Sequence, residues 1–235
     1  EDIIHKLNYN DTYEEIKNWY HAEKPDLLGG ALLLSKYRFP AMKEDDCRKT
    51  LKSLYQSCWL ELHNYLTPLE QINIINSVFY NMYKFNGFDL EVNNANHYFI
   101  SEVLETRQGN NYSLGTIYQL LCEMLDIPVF AIQLPRQHLL AYFDTTYNFF
   151  DKEEQQRQKI QFYIDANSGS IFTQNDVDMY LKKYNFAEVD SIYKPLSNQE
   201  IILTTIESLI MMYDELNQVN HSAELSNIVA LRGSK

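Results

Sequence analysis

The chain has 235 residues, 45% of them apolar, with only seven glycines and six prolines; that is enough for a sizeable core and too few turn residues for a β-sandwich or barrel. Twenty basic against 32 acidic side chains give a formal charge of -12, which argues against partners held by phosphate neutralisation, whether nucleic acid or anionic membrane. Three scattered cysteines, Cys47, Cys58 and Cys122, form neither a disulfide framework nor paired zinc ligands, and no apolar run approaches the roughly 18 residues of a membrane span.

In chain order, Thr12 to Glu23 and Leu27 to Tyr37 read as short amphipathic helices. Between Glu44 and Tyr65, Cys47, Leu51, Leu54, Tyr55, Cys58, Trp59 and Leu62 recur at spacings of three and four, a helical stripe that makes the thiols buried and inert. Thr67-Pro68-Leu69-Glu70 is an N-cap, a proline at the first helical position and a glutamate placed to bond back. The helix it opens runs to about Met82 and buries Leu69, Ile72, Ile75, Val78 and Phe79.

A loop over Asn86 to Asn94 and a helix from His97 to Thr106 lead to Gln108-Gly109-Asn110-Asn111. The next helix begins near Ser113, with Leu114, Ile117, Tyr118, Leu121 and Leu125 on one face and Ser113 as N-cap. Pro128 to Leu134 and His138 to Phe143 are strands; the charged stretch Asp151 to Lys159 is a loop; Ile160 to Asp165 is a third strand ending in the turn Asp165-Ala166-Asn167-Ser168-Gly169. Thr173 with Asp176 starts a helix, Ser197-Asn198-Gln199-Glu200 is a second capping box opening a helix to Leu216, and Ala223 to Leu231 is the last helix. Helices, then a small antiparallel sheet, then helices make an α+β fold. It divides into a helical region 1–92, a core 93–190 and a helical hairpin 191–235, packed as one unit. No internal repeat of regular period is present.

The chemistry-bearing residues lie in the middle third. A glycine-containing turn feeds a helix N-terminus at Gly109 to Ser113, His138 opens a strand, and Asp165 closes the following one. In thiol hydrolases and transferases a helix N-terminus lowers the pKa of a cysteine placed there, a histidine takes its proton, and a carboxylate orients that histidine. No spacing supports a metal site from His97, His138 and Asp165, and no cofactor is implied.

The segments "YFISEVLETRQGN", "SLGTIYQLLCEMLDIPVFAIQLP" and "HLLAYFD", from Asn96 to Asp144, resemble the transglutaminase-like family typified by bacterial SirB-type proteins. The stretches "ALLLSKYRFP" and "INSVFYNMYKFNGF" resemble its helical N-terminal region, and "LSNQEIILTTIESLIMMYDELNQ" its tetratricopeptide-like C-terminal helices. The resemblance implies a papain/transglutaminase-like core. Counting back from Asp126-Ile127-Pro128, the position of the family's cysteine falls on Asn111; His138 matches its histidine and Asp165 its aspartate, in a turn that departs from the family's Asp-Pro-Phe-Asn-Gly-Gly. Asparagine has no ionisable nucleophile.

These observations lead to a non-catalytic, transglutaminase-like protein that binds or scaffolds a protein or peptide partner through Asn111, Tyr112, Ser113 and His138, through the C-terminal helices, or both. It is expected in the cytoplasm without membrane insertion, although a chain that begins at Glu1 rather than Met leaves a removed leader open. The rival is an amide-bond hydrolase or acyltransferase using His138 and Asp165 with an unrecognised nucleophile. A third reading makes the chain one module of a longer protein.

Overall fold

The computed structural model describes residues 2–88, 94–135, 137–146, 156–187 and 190–233. Helix α1 (Asp2–Tyr20) begins ten residues before the expected Thr12, and α2 (Leu27–Arg38) starts where Asp26 accepts the amide of Gly29. Helix α3 (Glu44–Trp59) turns Cys47, Leu51, Leu54 and Cys58 inward. It stops earlier than the stripe suggests, and the Trp59 indole is 61% exposed. One residue past Cys58 is a 100° turn of the helix, which carries Trp59 away from the core.

Both halves of the Thr67–Glu70 capping box form at the start of α4 (Pro68–Asn76). The helix then widens into one π-helical turn, Ser77–Met82. Ile72, Ile75, Val78 and Phe79 are buried as expected, but Leu69 is 49% exposed. It sits in the first turn, where periodicity alone cannot say whether a neighbouring element reaches far enough to cover it.

Strand β1 (Asn86–Gly87) pairs in parallel with β2 (Gln108–Gly109), flanking a 3-10 turn at Ala95–Tyr98 and helix α5 (Ile100–Thr106). Two-residue strands are too short for alternation to reveal. The expected loop Asn86 to Asn94 therefore starts as strand, and its residues 89–93, which include the 92/93 boundary, lie outside the described residues. So do residues 151–155 of the charged stretch Asp151 to Lys159, which ends in a 3-10 turn at Arg157–Lys159.

Helix α6 (Asn111–Met124) is the centre of the molecule, buried at every position from Asn111 to Cys122. It lies on the antiparallel sheet β3 (Val129–Leu134), β4 (Gln137–Phe143), β5 (Ile160–Ile164) and β6 (Ile171–Phe172), whose order follows the chain. Alternation along the strands divides the core. Leu140, Tyr142, Phe162 and Ile164 join α6 and the surrounding helices. Leu139, Ala141, Phe143 and Tyr163 form a second cluster with Val177 and Leu181 of α7 (Gln174–Lys183). The edge strand β3 is not left open: the Ala131 amide donates to Gln119 of α6, and its carbonyl accepts from Leu196.

Thr173 and Asp176 form the capping box of α7. At the second expected box only half forms. Ser197 accepts the Glu200 amide, while the Glu200 carboxylate is bonded to Arg232 instead. That helix, α8 (Asn198–Glu215), forms an antiparallel hairpin with α9 (Val219–Val229). The hairpin packs into the body of the protein: Ile201, Ile202, Leu203, Ile206 and Leu209 are all buried in the main core. Tyr9 of α1 donates to the Glu224 carbonyl, Tyr37 of α2 to the Glu224 carboxylate, and Asn198 to the Pro25 carbonyl. The architecture is the helix-rich α+β arrangement with a small antiparallel sheet that the order of elements implies.

Candidate functional site

The N-terminus of α6 is built by Asn110. Its backbone is extended (φ -124°, ψ 179°), and its side-chain oxygen accepts the amides of Tyr112 and Ser113 at 3.0 and 3.2 Å. Ser113 is therefore not the N-cap. It is the third helical residue of the box, its hydroxyl accepting from the Asn110 amide and lying 2.5 Å from the His97 carbonyl, to which it donates. Asn and Ser cap almost equally well, so the two residues could not be ranked from sequence; the helix simply begins two residues earlier. Asn111 is thus its first residue. It is 3% exposed, and its side-chain oxygen has no hydrogen-bond partner among the described residues.

His138 enters from β4 on the face shared with Leu140 and Tyr142, towards α6. Its ring lies 4.4 Å, centroid to centroid, from that of Tyr112, tilted by 60°. Nε2 is 2.7 Å from Oγ1 of Thr204 on α8. The ring is 3% exposed, and loss of water around the cation pushes its pKa down to about 3. Ser208, one turn after Thr204, bonds the Tyr98 hydroxyl at 2.9 Å. Helix α8 thus lies across the site with two hydroxyls facing inward. The four residues expected to form a binding site, Asn111, Tyr112, Ser113 and His138, are all buried beneath it.

Asp165 is not part of this arrangement. Its Oδ1 accepts the Asn167 amide at 3.1 Å and its Oδ2 the Ser168 hydroxyl at 2.6 Å, closing the turn after β5. Gly169 has φ +75° there, and a Cβ would stand 2.6 Å from the Tyr80 ring, so only glycine fits. Tyr80 and Asn76 hold the turn from α4 and the π-turn by donating to the carbonyls of Ala166 and Gly169, each at 2.8 Å. Parity separates the two expected partners: Asp165 falls two residues after Tyr163, which belongs to the face opposite His138.

The three thiols are buried. Burial raises the pKa of each, to about 12 for Cys58, with the carboxylates of Asp46 and Glu44 adding to the effect at Cys47. His97 is bonded through Nε2 to Asn94 at 3.2 Å, and among the described residues no cluster of three His, Cys, Asp or Glu side chains is placed to hold a metal ion. No described helix is long and apolar enough to cross a membrane. A cleft of about 880 Å³ opens elsewhere, lined by Phe39, Met42, Cys47, Leu104 and Arg107 among others, and none of Asn111, His138 and Asp165 borders it.

The residue that sequence reasoning missed is Thr204. The signal was present: Thr204-Thr205 interrupts the apolar run from Ile201 to Ile210, and a hydroxyl inside a buried helix face needs a partner. Compared with known families, residues 45–207 match the model described as the transglutaminase-like superfamily. No curated protein and no solved structure matches the chain.

Proposed function

Because the chain belongs to the transglutaminase-like superfamily, we propose that it is a non-catalytic member of the SirB type that binds or scaffolds a protein or peptide partner in the cytoplasm, with α8 and α9 corresponding to tetratricopeptide-like helices. The observation that carries this reading is the state of His138. A general base must reach the proton it removes and must titrate near working pH. The His138 ring is instead buried, and loss of water around its cation holds its pKa down at about 3.

The covering helix is not a lid. Ile201, Ile202, Leu203, Ile206 and Leu209 are each at most 2% exposed, and burying each such side chain stabilises by about 1.5–3 kcal/mol. Lifting α8 would cost as much as the roughly 5–15 kcal/mol that holds a whole domain folded. With Asn111 in place of a thiol and the centre sealed, the outer surface is what remains for a partner. Trp59 and Tyr65, 61% and 94% exposed around the turn between α3 and α4, are the residue types that anchor such contacts.

Amine incorporation into a glutaminyl peptide, amide hydrolysis and iodoacetamide labelling of the native protein test this together. We expect no turnover, and labelling of Cys47, Cys58 and Cys122 only after denaturation. Turnover that His138→Gln abolishes, or one thiol that labels rapidly in native buffer, would restore the hydrolase or acyltransferase reading.

A further inference from the structure

The Thr204 hydroxyl has three neighbours: His138 Nε2 at 2.7 Å, the Glu200 carbonyl at 2.6 Å and the Ile201 carbonyl at 3.2 Å. A hydroxyl carries one proton and two lone pairs, and a carbonyl oxygen only accepts. Two oxygens 2.6 Å apart attract only when a proton lies between them; without it, lone pair faces lone pair. The Thr204 proton is therefore committed to Glu200, four residues back, which is a bond that threonine readily makes within a helix. What Oγ1 presents to the histidine is a lone pair. Nε2 must then carry the hydrogen of the neutral ring, leaving Nδ1 bare as an acceptor.

We propose that Thr204 is the positioning residue of His138, holding its ring as the Nε2–H tautomer, in the role that a carboxylate has in a thiol–histidine–carboxylate triad. Asp165 does not fill that role: its oxygens bond Asn167 and Ser168 within its own turn, and Nε2 of His138 bonds Thr204 instead. Unlike a carboxylate, a hydroxyl oriented by a helix carbonyl contributes no negative charge to stabilise an imidazolium. It selects the tautomer without raising the basicity of the ring. The selection comes from the backbone of α8 and not from whatever Nδ1 meets, so it stands apart from the non-catalytic reading and holds equally for an enzyme.

The test is the ¹⁵N–¹H spectrum of the histidine rings in the full chain near pH 7, with the His138 signals assigned by their loss in His138→Gln. We expect Nε2 protonated and Nδ1 at the unprotonated position, in one tautomer. Thr204→Ser, which keeps the hydroxyl, retains that pattern. Thr204→Val, of equal shape but without the acceptor, loses the single-tautomer signature, a change that general loosening of packing would not by itself produce. An Nδ1–H ring in the unmodified protein, or an unchanged Nε2–H ring in Thr204→Val, would overturn the assignment. The spectra of the unmodified protein and of Thr204→Ser decide even where the valine variant is too unstable to record.

Discussion

His138 lies at the start of β4 and Asp165 just past the end of β5, the strand hydrogen-bonded to it, yet each has settled into a different kind of environment. Around His138 three elements converge, α6 with Tyr112, β4 itself, and α8 with Thr204; the ring is dry, neutral and tautomerically restricted. Around Asp165 the partners are local: the carboxylate closes a turn of its own making, and the hydrogen bonds that Asn76 and Tyr80 bring from a distance reach the turn's backbone carbonyls. Nearness across a sheet does not make two side chains partners. Parity decides which face each occupies, and the element packed on that face decides what each can do.

Removing α8 would erase the difference between the two environments most completely. Truncation at Lys194 uncovers the surface against which Ile201, Ile202, Leu203, Ile206 and Leu209 pack. Since their burial matches a domain's whole net stability, we expect no cooperative thermal transition by circular dichroism. A sharp melt near that of the full chain would mean that the hairpin is an independent module.

A smaller effect separates the two residues by pH. His138 has a folded pKa of about 3, below the ordinary histidine value of 6.5. Between these values the unfolded chain binds more protons than the native one, so stability rises with pH, and it is lost as pH falls from about 6.5 towards 3. Between pH 7 and pH 5 His138 alone should remove about 2 kcal/mol. His97, whose pKa burial also lowers, acts in the same direction. Urea titrations at the two pH values should show a drop that is smaller by about that amount in His138→Gln; equal drops would mean that the native ring is accessible to protons.

Smallest is the effect of Asp165→Ala. It removes the two local bonds of the turn, at a cost of about 1 kcal/mol in urea unfolding. The pH-dependent drop of the unsubstituted chain should persist unchanged in this variant. A flattened pH profile in this variant would show Asp165 to be coupled to His138 after all.

Much of this molecule can be read along the chain because its signals are local. The capping boxes at Thr67–Glu70 and Thr173–Asp176 need four consecutive residues, and each forms where its letters stand. The spacing of three and four in Leu114, Ile117, Tyr118 and Leu121 marks α6 as a helix, and the short apolar run from Leu139 to Phe143 marks β4, which is buried on both faces. The places where sequence alone falls short are those where a second element intervenes. Glu200 leaves its box for Arg232, and Leu69 and Trp59 are left uncovered at helix ends; Ser113 yields the N-cap to Asn110 for a local reason, since the two residue types cap almost equally well. By itself, then, the sequence determined the α+β order, the helices and strands of the core, and the absence of a thiol at Asn111, all consequences of neighbouring residues and their periodicities. The tertiary structure alone decided that α8 seals the centre, that Thr204 meets His138 from 66 residues away, and that Asp165 faces its own turn. The physical reason is that burial and hydrogen-bond partnership depend on which surface is brought against a side chain, and that surface comes from another part of the chain.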